Sequence, residues 1–310
     1  MPDRRPRGYQ PDWQPRSATL ELLTAVELVL GRYAAQLPLT IRQIWYAALA
    51  EGAPGTAGVL IGRERGQDGG GGRGQERSYR RLVELIGMAR RSGRISWLAV
   101  QDDSDTAVLP TAYDGPAGFH RARVEAALGY RLDRQSGQEA RLELWCDTPG
   151  LVPQLAGVTD PWGVPVYAAP RGLHGRRAAA LRAAACGHGA LRILVVGDRD
   201  PMALQLYGAL AEDVTAFAAT DAPDVRVLFE RLAVTEEQIE AYALPAAPAR
   251  AGDRGTPAGA PATHAEALPP DVLARLVREA VSRGYDTTVL AEVLAREEAD
   301  RRTLLDRPHP

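Results

Sequence analysis

Two carboxylates one residue apart close an apolar run in this chain: Leu191-Arg192-Ile193-Leu194-Val195-Val196 leads into Gly197-Asp198-Arg199-Asp200-Pro201. The run is β-branched, bounded by turn formers and too short for a buried helix, so it predicts an interior strand. Alternate side chains of a strand share one side, which lets Asp198 and Asp200 lean together over its C-terminal edge. In open α/β sheets ligands bind at that edge. Neighbouring carboxylates repel, and a shared proton or a divalent cation relieves them. Oxygen-only donors suit Mg²⁺ or Mn²⁺. The pattern alone also fits two solvated loop acids. Two neighbours favour the metal: Pro201 starts an apolar-periodic helix over 202–218, and Asp147 ends an upstream strand, Arg141-Leu142-Glu143-Leu144-Trp145-Cys146.

The elements around these acids alternate. A helix over 120–130 precedes the Arg141 strand, and a short helix over 151–156 follows it. Next come a strand over 163–168, a helix over 176–185, the Leu191 strand, its helix, and a strand over 224–232. Thr235 and Gln238 form a capping box for a helix ending at Tyr242. Such alternation predicts a small parallel sheet with helices on both faces. No G-x-G-x-x-G follows the first strand, which argues against a dinucleotide fold.

Upstream, an apolar helix over 20–33 is broken at Leu37-Pro38, and Thr40 with Gln43 caps a second helix over 41–50. A loop with a Gly tract covers 51–78. An amphipathic helix over 79–91 and a short strand over 95–100 complete what looks like a winged helix-turn-helix module. From Arg63 to Arg94 nine Arg face four acids, enough local charge to hold a phosphate backbone without reading sequence. A solvated helix face beside a charged loop is the alternative. The arginines singled out here are Arg77, Arg80, Arg81, Arg90 and Arg91, with Arg171 beside the sheet.

The chain divides into a loose arm (1–16), a winged-helix-like domain (17–118), an α/β domain (119–244), a Pro/Ala/Gly linker not expected to pack (245–268), and C-terminal helices (269–310) whose apolar stripe docks on another surface or a second copy. Its 310 residues suffice for two cores. All 37 basic residues are Arg, and the net charge of −2 confines any polyanion contact to local patches. No 18-residue apolar run and no signal sequence appears, so a soluble, cytoplasmic protein without membrane contact is expected. Two cysteines, Cys146 and Cys186, define neither a disulfide framework nor a zinc site.

The order acid–strand–helix–strand–helix–strand–Asp-x-Asp-Pro resembles the Toprim fold of topoisomerases, primases and related nucleases. The Gly-Asp-Arg-Asp-Pro-Met-Ala run looks most like the A subunits of type IIB topoisomerases, the related meiotic recombination proteins, and their small stand-alone bacterial relatives. Thr40-Ile41-Arg42-Gln43-Ile44-Trp45-Tyr46 is similar to that group's Arg-x-x-Tyr-Tyr motif. Arg42 keeps the Arg, Trp45 replaces the first Tyr, and Tyr46 falls on the nucleophile. The chain departs from the pattern at Asp147, where the family has Glu, and at Ala203, where it has Gly. The turn after the second strand is also rewritten, with Arg171 standing in for a phosphate-contacting Lys.

The resemblance implies a Mg²⁺- or Mn²⁺-dependent DNA-cleaving enzyme. Asp147, Asp198 and Asp200 would hold the metal, Tyr46 would form a phosphotyrosyl link, and Arg42 would steady the phosphate. It implies a nucleoid-associated homodimer in which the tyrosine of one subunit meets the metals of the other. Strand passage would need a separate ATPase subunit. If Tyr46 is structural, the same metals activate water and the protein is a nuclease. Two further readings compete: a DNA-binding module with a degenerate, inactive Toprim core, and a phosphotransferase using Asp198 as nucleophile.

Overall fold

The computed structural model describes residues 10–50, 71–101, 111–170, 173–185, 189–248 and 261–306. The chain is mixed α/β. Its centre is a four-stranded parallel sheet of β3 (Arg141–Cys146), β4 (Val166–Ala168), β5 (Ala190–Val196) and β6 (Arg226–Ala233), in spatial order β4-β3-β5-β6.

Strand alternation sorts the core into two layers. Leu142, Leu144 and Cys146 of β3 and Leu194 and Val196 of β5 point to one face, where Leu155 of α5 (Val152–Thr159) and Leu273, Val277 and Val281 of α9 (Pro270–Arg283) cover them. Trp145, Leu191, Ile193 and Val195 point to the other, against Ala179 and Ala183 of α6 (Leu173–Ala185) and Leu210 and Val214 of α7 (Pro201–Asp221). Helices therefore lie on both faces, as the alternation predicts. Glu143 sits inside the second layer. Its carboxylate accepts from Trp145 Nε1 at 2.8 Å and takes two Arg182 nitrogens at 2.8 Å, which makes burying the charge tolerable.

The N-terminal part has its own core. It joins α1 (Ser17–Arg32), α2 (Ile41–Ala50) and α3 (Gly71–Arg91) around Val26, Ile44, Leu82 and Ile86. β1 (Leu39–Thr40) and β2 (Val100–Gln101) form a two-residue parallel pair beside it. The α3 helix begins well before the expected Tyr79. Its first turns, Gly-Gly-Arg-Gly-Gln-Glu-Arg-Ser, are glycine-rich and polar, while the apolar stripe that periodicity detects begins near Leu82. Over 95–100 the expected strand is mostly a single helical turn, Trp97–Ala99.

The C-terminal helices dock on the chain's own α/β part. The α9 helix covers the sheet. The α10 helix (Thr287–Asp306) lies against α4 (Pro116–Leu128), where buried Glu297 accepts from Arg134 Nη2 at 2.8 Å, Arg301 Nη2 at 3.0 Å and the Leu132 N–H at 3.1 Å. Within the expected linker, β7 (Ala247–Pro248) pairs antiparallel with β8 (Pro261–Ala262). The segment that follows β8 is packed rather than loose, which corrects the linker assignment. No described helix is long and apolar enough to cross a membrane.

Candidate functional site

The sheet order sets where the site lies. From β3 the chain moves outward through α5 to β4, then crosses back through α6 to β5 on the other side of β3. The order reverses between β3 and β5, so their carboxyl ends form the switch point at which open α/β sheets bind ligands. Asp147 is the first residue past β3, and Asp198 follows β5 by two. The register pairs Cys146 with Val196, which brings the two loops side by side.

Asp147 and Asp198 meet there. The Asp198 N–H donates to Asp147 Oδ2 at 3.0 Å, and the Thr148 hydroxyl donates to Asp147 Oδ1 at 3.3 Å. Gly197 permits the approach: a Cβ there would stand 2.6 Å from Asp147 Oδ2. Burial, reinforced by the Asp198 charge, pushes the Asp147 carboxyl from 3.8 up to about 6. The two hydrogen bonds and nearby Arg231 oppose this without cancelling it. Arg231 of β6 braces the loop by donating to the Gly197 carbonyl at 3.0 Å and to the Asp198 carbonyl.

Asp198 is held differently. Burial works against its charge, yet hydrogen bonds from His264 and the Ala265 N–H, helped by Arg42, keep it below the ordinary carboxylate range. Its Oδ2 lies 2.8 Å from His264 Nδ1, and its Oδ1 accepts from the Ala265 N–H at 2.8 Å. Asp200 serves its own helix, where Oδ1 accepts from the Ala203 N–H at 2.7 Å and so caps α7.

The α2 helix delivers the other candidates. Thr40 and Gln43 form the capping box read from sequence, with Thr40 N–H donating to Gln43 Oε1 at 2.9 Å and Gln43 N–H to Thr40 Oγ1 at 3.1 Å. Arg42 and Tyr46, one turn apart on that helix, both lie beside His264. Arg42 Nη1 lies 3.2 Å from His264 Nε2, and Arg42 Nε lies 3.5 Å from Glu266 Oε2. With the imidazole proton on Nδ1 toward Asp198, Nε2 is free to accept from Arg42. The Tyr46 ring centroid is 6.3 Å from that of His264 and 4.9 Å from that of Trp45, and the residue is buried. Burial raises the Tyr46 phenol pKa. Arg42 pulls it down, while Glu266 and Asp198 add to the rise. Residues about 100 to 220 positions apart thus converge within one chain.

Sequence reading missed His264, Glu266 and Arg231. His264 and Glu266 sit in Thr263-His264-Ala265-Glu266-Ala267-Leu268, inside a Pro/Ala/Gly-rich stretch with no period to expose them. Two titratable residues just before the Pro-Pro that opens α9 were the available signal. The proposed phosphate contacts separate. Arg80 and Arg81 are exposed and Arg91 is half-buried. Arg90 is buried instead, its guanidinium 4.4 Å from the Trp97 ring, so it is not displayed on the surface as expected. The Arg77 side chain and Arg171 lie outside the described residues.

The oxygen donors of Asp147 and Asp198 are of the kind that a hard cation could use. The two acids lie side by side, and the Asp147 carboxyl is raised first by burial and then by the Asp198 charge. Among the described residues no three His, Cys, Asp or Glu side chains gather into a ready-made cage. Mg²⁺ commonly binds through one or two carboxylates, waters and substrate phosphates rather than such a cage. Compared with known families, with curated proteins and with solved structures, the chain matches none.

Proposed function

We propose that this chain is a Mg²⁺- or Mn²⁺-dependent DNA-cleaving enzyme of Toprim type, its N-terminal winged-helix-like part holding the DNA. One observation carries the reading: Asp147 and Asp198 meet at the switch point of a parallel sheet, with Arg42 and Tyr46 of α2 beside His264, which contacts Asp198. Carboxylates, a guanidinium and a phenol at one site make a phosphoryl-transfer set.

Asp147 and Asp198 would hold the ion, while Asp200, the third acid that the resemblance implies, caps α7 and is not gathered with them. When bound, the metal offsets charge on the non-bridging and leaving oxygens. Arg42 pairs with the phosphate. The Tyr46 oxygen bonds to phosphorus as the strand oxygen departs with the electrons of the broken P–O bond. The phenol is protonated in its buried setting, so its proton must pass to a base: His264 Nε2, released when Arg42 turns from it to the phosphate, would be the acceptor nearest the ring. The resulting phosphotyrosyl ester conserves the bond for resealing. Arg80, Arg81 and Arg91 contribute sequence-independent backbone contacts.

The test is supercoiled plasmid with Mg²⁺. The parent nicks or cuts it and, when denatured mid-reaction, carries covalently attached DNA. Asp198→Ala and Asp147→Ala are inactive, and Tyr46→Phe leaves no adduct. Cutting by the acid variants at the parental rate sinks the proposal. Cutting without an adduct identifies a nuclease.

A second reading has its own support. Both Asp198 oxygens are already engaged by His264 and Ala265, and Asp200 is engaged as a cap. That favours a DNA-binding module whose Toprim core no longer cleaves. It predicts DNA affinity that survives loss of all three acids, with no heat of Mg²⁺ binding by calorimetry.

A further inference from the structure

The segment from Thr263 to Leu268 contacts both the Asp-Arg-Asp loop and α2. Thr263 exchanges backbone hydrogen bonds with Arg199 (2.8 and 3.0 Å), inside the Asp-Arg-Asp loop. His264 and Ala265 take the two Asp198 oxygens. Glu266 accepts from the Thr40 hydroxyl at the head of α2 and pairs with Arg42 Nε at 3.5 Å. Its apolar residues divide between the two cores: Ala267 packs into the N-terminal helical core, and Ala265 and Leu268 into the sheet core. One strap thus fastens the acid rim on one side and α2 on the other.

Glu266 is the hinge pin of that arrangement. It is 7% exposed and lies outside the strands that carry the acids, yet it holds both the start of α2, through Thr40, and the guanidinium. Arg42 carries four rotatable side-chain bonds. Without an anchor it would spend little time aimed at the rim, because each fixed rotamer costs entropy. The Tyr79 ring, 5.4 Å from the Arg42 guanidinium carbon, walls off another side.

We infer that Glu266 is a positioning residue: through Arg42 and Thr40 it sets α2, and with it Tyr46, in register with Asp147 and Asp198, so that cleavage depends on it while DNA binding does not. The inference rests on the cleavage reading for its activity arm alone.

The experiment uses the full chain in two arms. In the first, a double-mutant cycle of Arg42→Ala and Glu266→Gln is measured by urea unfolding. Gln keeps an acceptor for Thr40 and removes the charge facing Arg42. A coupling of about fivefold in the unfolding constant is expected for residues in contact. Additive effects overturn the inference, whether or not the protein cuts DNA. In the second arm, Glu266→Gln leaves plasmid affinity within about twofold and lowers turnover about tenfold, the scale of a sub-ångström misplacement. An unchanged turnover overturns the inference, as does a loss of affinity equal to the loss of turnover. If the parent itself does not cut, the cleavage reading fails and the cycle alone decides the role of Glu266.

Discussion

The backbone N–H of Asp198 donates to the side chain of Asp147 across 3.0 Å, joining loops 51 residues apart in sequence. That bond fixes the spacing of two acids at the sheet's switch point. The bond favours the charged form of Asp147 without cancelling what opposes it: burial and the Asp198 charge still hold the carboxyl at about 6.

A pH dependence follows. The folded protein keeps the Asp147 proton at pH values where the unfolded chain, near 3.8, has lost it. The stabilisation is complete below the unfolded value and disappears as pH rises through about 6. Its size is at most about 3 kcal/mol, because each pH step between the two values is worth roughly 1.4 kcal/mol. Asp147→Asn keeps an acceptor for the Asp198 N–H, so it should flatten this part of the urea-stability profile and exceed the parent above about pH 7. An unchanged profile would show that Asp147 is already compensated.

Divalent metal should reverse that penalty. Mg²⁺ at about 100 times its dissociation constant adds about 2.7 kcal/mol to the folded state. Scanning calorimetry at a pH of about 7.5, where Asp147 is charged, should show a melting temperature that climbs with Mg²⁺ in the parent and stays flat in Asp198→Asn. A rise that persists in the variant would place the ion elsewhere.

Asp200 caps α7, and mutation separates that role from any contact with a metal. Asp200→Ala should cost about 1 kcal/mol by removing the α7 cap, with or without metal. Asp200→Ser restores a capping oxygen and so most of the stability. If Asp200 also contacts the ion, Ser does not recover the Mg²⁺-dependent shift in melting temperature. Full recovery would leave Asp200 a cap alone.

The Glu143–Arg182 pair tests the sheet core. Arg182→Met strips two hydrogen bonds from a carboxylate that is 1% exposed, leaving it with the Trp145 N–H. A cost of about 3 kcal/mol is expected in urea unfolding. Changing Glu143 to Met as well should recover much of it, because no buried charge then remains. If the double variant is as unstable as the single, packing rather than charge is responsible.

Much of this molecule is written locally. Strand β3 and helix α2 occupy the residues that pattern and caps assign, because an apolar run bounded by turn formers and a Thr-x-x-Gln box act within a few residues. The same locality explains the error at α3, whose first turns carry no apolar stripe, and at Arg90, whose burial depends on Trp97 lying against it.

The sequence by itself determined the alternation of strands and helices, the apolar faces, the acids at the strand ends, and Arg42 and Tyr46 one turn apart on α2. Only the tertiary structure decided that Asp147 and Asp198 touch, that Asp200 turns aside to cap its helix, and that His264 and Glu266 join the site. The first group depends on periodicity and capping between near neighbours. The second depends on strand order and on a strap that returns from the far end of the chain, contacts between residues up to 226 positions apart that no local pattern encodes.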